Sequence, residues 1–185
     1  QPEGEDWAVA ELLERVLGWD CSHVVITGGE PLLYTELIPL CAGLRDAGRH
    51  ITIETAGTLT LPVACDLMSI SPKLSNSTPS VARAGAWHER HERTRHAPDV
   101  IRQLTTDYAY QLKFVVDQPA DCGEIEQYLG AFPHVVRERV LLMPQGTDLA
   151  HLQAIGRWLA PYCAKHGYRF CPRRHIEWFG ARRGT

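Results

Sequence analysis

No stretch of this 185-residue sequence approaches the roughly 20 consecutive apolar residues that a membrane-spanning helix needs. The start, QPEGEDWAVAELLERV, lacks the basic-then-apolar order of a signal peptide. There is little net charge either: a formal value of −3 gives no bulk attraction to nucleic acid or to a membrane surface. These absences read as a cytoplasmic protein with a small-molecule ligand, no nucleic-acid partner and no membrane. Metal-binding patterns are missing as well. None of the six cysteines, Cys21, Cys41, Cys65, Cys122, Cys163 and Cys171, falls in a C-x-x-C pair or a close triplet. Cys41 and Cys163 lie on apolar faces of predicted helices, where a free thiol acts as a small hydrophobe. The histidines of ARAGAWHERHERTRHAPD, His88, His91 and His96, make no ligand set, because no third ligand is fixed near the first two. That segment reads as a solvated loop or a polar helix face.

What is present is 44% hydrophobic residues arranged in alternating periods, enough for one domain spanning residues 1–185 with a buried core. Val9, Leu12, Leu13, Val16 and Leu17 predict a helix from about Asp6 to Leu17, and Val24 to Thr27 a short strand. A helix from about Thr35, a possible cap, to Ala47 follows, with Pro39 tolerated in or near its first turn. Further strands are predicted at Ile51–Glu54, Leu67–Ile70, Gln111–Val116 and Arg139–Met143. Helices are predicted at Asp99–Thr106, around Gly123–Leu129, and from Asp148 to about Lys165, where Pro161 is expected to introduce a kink. A last strand comes from Tyr168–Phe170 or from His175–Trp178. The alternation argues for a parallel α/β sheet of five or six strands with right-handed crossovers. That is too few for a closed (β/α)₈ barrel, so an open partial barrel is the better fit and a doubly wound flat sheet the alternative.

The unusual polar residues fall where these strands end. Thr27, Gly28, Gly29 and Glu30 follow the first, Glu54 and Thr55 end the second, Ser71 and Lys73 follow the third and Gln145 follows the strand at Met143. His175 belongs to the last strand in one of its two placements. Carboxyl ends of parallel strands carry the ligand site, because loops converge there on a rigid frame. Each residue also has a structural reading: a turn at Gly28 and Gly29, a helix cap at Glu54 and Thr55, a solvated lysine in SPK. Five such loops on one rim favour a site.

These residues carry a resemblance. TGGEPLL after a strand resembles the glycine-glycine-glutamate-proline motif of radical S-adenosylmethionine enzymes. The ordered set TGGEPLL, ETAGT, SPK, LKFVV, LMPQG and HIEWFGARRG, from about Val24 to Thr185, resembles 7-carboxy-7-deazaguanine synthase. The resemblance implies an open (β/α)₆ barrel, a homodimer, an electron donor such as flavodoxin, and a place in the pathway to queuosine and other 7-deazapurines. It implies that Gly28, Gly29, Glu30, Ser71, Lys73 and Gln145 bind S-adenosylmethionine. In that reading Glu30 and the bare turn take its ammonium, Lys73 and Ser71 its carboxylate or ribose, and Gln145 its adenosyl part. The pterin substrate offers an amino-pyrimidine edge of adjacent N–H donors, which a carboxylate accepts in a fork, so Glu54 with Thr27 or Thr55 is assigned there. His175, Arg183 and Thr185 close the same pocket.

The resemblance also implies a [4Fe–4S] cluster on three close cysteines and Mg²⁺, both held upstream of GGEP. Only Cys21 precedes Thr27 here, and no other cysteine trio substitutes by spacing. The chain therefore reads as the carboxy-terminal three-quarters or so of a synthase, with the first barrel strand and the cluster loop missing. Catalytic residues are not assigned, and no metal ligand is named within the chain. The alternative is a cluster-free, non-catalytic remnant that binds a nucleoside-like ligand or a partner.

Overall fold

The computed structural model describes residues 4–78, 85, 89 and 94–182. Six parallel strands run in chain order across one open sheet. They are β1 (His23–Ile26), β2 (His50–Thr55), β3 (Leu67–Ile70), β4 (Tyr110–Val116), β5 (Val140–Pro144) and β6 (Arg169–Phe170). The helices are α1 (Val9–Leu17), α2 (Leu37–Asp46), α3 (Pro98–Asp107), α4 (Pro119–Gly130), α5 (Leu149–His166) and α6 (Arg174–Phe179). Unbroken sequential order is what successive crossovers of one hand produce, and it makes the sheet a partial barrel rather than a doubly wound one.

The two-residue period of the strands sorts their side chains onto two faces. Ile51 and Ile53 of β2, Met68 and Ile70 of β3, Leu112, Phe114 and Val116 of β4, and Val140 and Leu142 of β5 are all fully buried. They share one core with Leu40, Cys41 and Leu44 of α2, Ile101 and Leu104 of α3, Ile125 of α4, and Ile155, Leu159 and Cys163 of α5. The alternate residues occupy the other face. There Glu54, Ser69 and Gln111 stand in register across three neighbouring strands, and the Gln111 amide donates to Ser69 Oγ at 2.9 Å. Lys113 and Val115 continue that row along β4, and Val25 on β1 is 58% exposed. Apolar residues are thus buried under helices on one side, while polar residues line the inner side of the barrel.

Several boundaries differ from expectation for identifiable reasons. Of the two placements of the last strand, residues 169–170 pair with β5, whereas His175–Trp178 is helical and lies within α6. His175 is therefore not a strand residue. Thr35 does not cap α2: the N-cap is Glu36, no side chain caps it, and Pro39 sits in the first turn, where its missing N–H costs nothing. α4 starts at Pro119 rather than near Gly123, with proline at the first helical position and Asp121 accepting the backbone N–H groups of Asp117 and Gln118. Pro161 lies inside α5 without ending it. His88 and His91 fall outside the described residues, and His96 packs its ring edgewise on Tyr128.

Candidate functional site

A cavity of about 600 Å³ opens on the inner face at the carboxyl ends of the strands. All six strands or the turns after them contribute: Thr27, Gly28 and Gly29 after β1, Glu54 and Thr55 of β2, Ser71 and Lys73 after β3, Lys113 of β4, Met143 of β5, and Cys171, Arg173 and His175 after β6. Of the rim residues expected from the sequence, Thr27, Gly28, Gly29, Glu54, Thr55, Ser71, Lys73 and His175 share this surface, whereas Glu30 and Gln145 do not line it. A second cavity of similar volume, lined by Glu30, Trp7, Tyr34 and Leu37, lies on the other side of the same Thr27–Gly29 turn. Gln145 is set apart, in a smaller cavity that shares Lys73 and Val115 with the first. Arg183 and Thr185 fall outside the described residues.

The turn after β1 is open backbone. Gly28 has φ +156°, and a Cβ built on it or on Gly29 meets no atom within 4 Å, so room is left in front of both. Glu30 braces this turn against its neighbour. One carboxylate oxygen accepts the Leu32 N–H at 3.2 Å and the Thr55 hydroxyl at 2.8 Å, and the other accepts the Ala56 N–H at 2.9 Å. Thr55 in turn accepts the Gly57 N–H at 3.0 Å. Gly57 has no alternative there: its φ is +75°, and a Cβ would come within 2.5 Å of Ile101 and 2.7 Å of Ile70. A negative charge and two glycine turns thus lock the ends of β1 and β2 together.

Glu54 points the other way, into the cavity. Lys113 Nζ donates to one of its oxygens at 2.9 Å, and the Thr27 hydroxyl reaches the other at 3.4 Å. Of the two threonines considered as its companion, Thr27 stands beside it while Thr55 is held by Glu30. Lys73 lies with its ammonium 3.4 Å from Ser71 Oγ. Burial, then the Lys113 charge, pulls the Lys73 pKa below its ordinary value, with Glu30 and Glu54 opposing. Desolvation likewise pushes the Cys171 thiol up and the Arg173 guanidinium down, where Arg173 Nε donates to the Pro144 carbonyl at 3.0 Å.

Lys113, Gln111 and Arg173 line the cavity without a role in the sequence-based expectations, and Cys171 enters those only as a cysteine outside any metal pattern. The signal for the first two was present: in YQLKFVV a glutamine and a lysine alternate with buried apolar residues, which places both on the face opposite the core. No comparable signal marks Arg173, which lies between the two alternative placements of the last strand.

The arrangement sets one carboxylate, Glu54, and the cations Lys73, Lys113 and Arg173 around a polar cavity. Among the described residues no group of three or more His, Cys, Asp or Glu side chains is placed to hold a metal ion. Cys41, Cys122 and Cys163 are buried thiols whose pKa values desolvation raises to about 11, which fits the expected packing role of Cys41 and Cys163. Among the described residues no helix is long and apolar enough to cross a membrane.

Comparison with known proteins gives a consistent set. A 7-carboxy-7-deazaguanine synthase of Rhodopirellula baltica is 40% identical over 186 residues, covering 100% of this chain and 72% of that protein. The synthase of Halobacterium salinarum is 38% identical, covering 95% of this chain and 72% of its own length. That of Pyrobaculum aerophilum is 33% identical over 190 residues, covering 98% and 76%. The crystal structure of QueE from Escherichia coli superposes with a TM-score of 0.65 at 22% identity, covering 90% of this chain and 64% of that one, and this likeness bears on the fold alone. No family model matches. By sequence identity over its whole length, the chain belongs to the 7-carboxy-7-deazaguanine synthase family.

Proposed function

We propose that the inner-face cavity binds S-adenosylmethionine and 6-carboxy-5,6,7,8-tetrahydropterin for a carbon–nitrogen lyase reaction. In it the pterin ring contracts to 7-carboxy-7-deazaguanine with loss of ammonia. The observation that carries this reading is the placement of Glu54. Its carboxylate faces the cavity, is fixed by Lys113 and Thr27, and lies beside the open turn at Gly28 and Gly29. Each carboxylate oxygen has two lone pairs, so after accepting from Lys113 and Thr27 both keep one acceptor site for the adjacent N–H donors of a pterin.

On the other side of the site, the carbonyls of the Gly28–Gly29 turn, with Glu30 behind them, suit the ammonium of S-adenosylmethionine. Lys73 and Ser71 suit its carboxylate or ribose, and Gln145, across Lys73, its adenosyl part. His175, in the first turn of α6, lines the cavity, with Arg183 and Thr185 assigned to the tail beyond it. Bound S-adenosylmethionine supplies the radical in this family's chemistry, and the residues described here orient the two ligands and keep water from them. Among the described residues no group of three or more His, Cys, Asp or Glu side chains fits a [4Fe–4S] cluster. The function brings with it a homodimer, a flavodoxin-type electron donor and a cytoplasmic setting, as the family resemblance implies.

Glu54→Gln tests the reading with 6-carboxypterin, a fluorescent oxidised analogue of the substrate. The variant keeps the shape but sets an N–H₂ against a ligand donor, so affinity should fall about 30- to 1000-fold. Affinity for S-adenosylmethionine should stay near wild type. An unchanged pterin affinity with a lowered melting temperature would mean that Glu54 serves only the fold.

A further inference from the structure

The charges lining the main cavity do not balance. Lys73, Lys113 and Arg173 face a single carboxylate, Glu54, in a protein whose formal net charge is −3. Lys113 is matched, because its ammonium lies 2.9 Å from Glu54. Two cations remain. Lys73 has Ser71 as its hydrogen-bond partner and sits toward the Gly28 turn and the Glu30 brace. Arg173, after β6, is half-buried in a wall shared by this cavity and a neighbouring one of about 420 Å³ that also includes Glu177, and its Nε is tied to the carbonyl of Pro144 at the end of β5. Among the described residues its two Nη groups have no hydrogen-bond partner and no carboxylate within ion-pair distance.

A guanidinium held by one nitrogen, with its outer edge free on a cavity wall, is pre-organised for a planar anion. Arginine stays charged throughout the accessible pH range, so partial burial without a counter-ion carries a desolvation cost that a bound anion relieves. The two ligands of the proposed reaction bring two carboxylates, one on the aminoacyl end of S-adenosylmethionine and one on C6 of the pterin. Lys73, beside the bare turn, is placed for the first. The geometry points to Arg173 as the specificity-determining residue that reads the pterin's carboxylate, separating a 6-carboxypterin from pterins that lack this group. This assignment rests on the pterin reading of the cavity and adds to it a second recognition point besides Glu54.

The test compares 6-carboxypterin with unsubstituted pterin by fluorescence titration of the full chain in the presence of S-adenosylmethionine. Wild type should prefer the carboxylated ligand by about 10- to 100-fold, the range of a charge-assisted pair. Arg173→Met should remove that preference while leaving the affinity for unsubstituted pterin unchanged, which also shows that the variant is folded. Arg173→Lys keeps the charge but loses the fork, and should lose part of the preference in the same direction, so it serves if the methionine variant does not fold. Glu54→Gln should weaken both ligands alike. If Arg173→Met keeps the preference, or if Lys73→Met removes it instead, the assignment to Arg173 is overturned while the pterin reading stands. If wild type binds neither ligand, the pterin reading falls and Arg173 with it.

Discussion

Phe114 and Lys113 are neighbours on β4, yet they belong to different chemistries. Phe114 is fully buried among the helices, and its ring meets Tyr128 edgewise at 5.3 Å. Lys113 crosses to the inner face and reaches Glu54 on β2. The same contrast repeats at Ile53 and Glu54, at Ile70 and Ser69, and at Leu142 and Met143. One face of the sheet holds the fold together by excluding water, and the other is left for a ligand to complete. A period of two residues is all that separates them, so a frame built for stability positions a polar site at every second residue.

The largest effect that sharpens this contrast comes from the helix-covered face. Phe114→Ala should cost about 3–5 kcal/mol in urea unfolding, through lost burial and the cavity left behind. Lys113→Met, one residue away, should change stability by no more than about 1 kcal/mol, because the partner carboxylate is partly exposed and its pair with lysine is solvent-screened. Equal losses at the two positions would erase the distinction between the faces.

Glu30 gives the intermediate case, since it belongs to the rim that joins both faces. Removing its carboxylate in Glu30→Ala leaves the Thr55 hydroxyl and the Ala56 and Leu32 N–H groups without their acceptor. That should cost about 2–3 kcal/mol in the same unfolding measurement. Glu30→Gln, which retains one carbonyl oxygen, should lose less. A neutral Glu30→Ala would mean that the brace between the β1 and β2 turns is not a structural element.

The contrast also explains what was legible in the sequence. Five of the strands were visible as β-branched or apolar runs, and the rim residues at their ends were visible because glycines, carboxylates and a lysine stand where such runs stop. Family membership was legible because several of those stretches recur in order. Less legible was the inside of the barrel. Lys113 and Gln111 sit within a strand, not after it, and only their alternation with Leu112 and Phe114 marks them as inward residues. Arg173 and His175 depend on where β6 stops, and two residues of ladder carry too weak a pattern to fix that from sequence. The role of Glu30 as a brace arises from a long-range contact with Thr55 and Ala56, which local pattern does not encode. The start of α4 was written in Gln118-Pro119, a proline at the first helical position, but the apolar period alone located it too late.

The central claim is that the polar inner face, rather than any other surface, takes the ligands, and the cysteines report on it directly. Cys171 lines the main cavity, Cys21 is exposed on the approach to β1, and Cys41, Cys122 and Cys163 are buried with raised pKa values. Alkylation followed by mass spectrometry gives a rate for Cys171 and Cys21 in the same sample. With S-adenosylmethionine and 6-carboxypterin each at about ten times Kd, alkylation of Cys171 should slow roughly tenfold by mass action, and that of Cys21 should not change. An unaltered Cys171 rate in a sample whose fluorescence shows the pterin bound would place the ligand elsewhere and contradict the account.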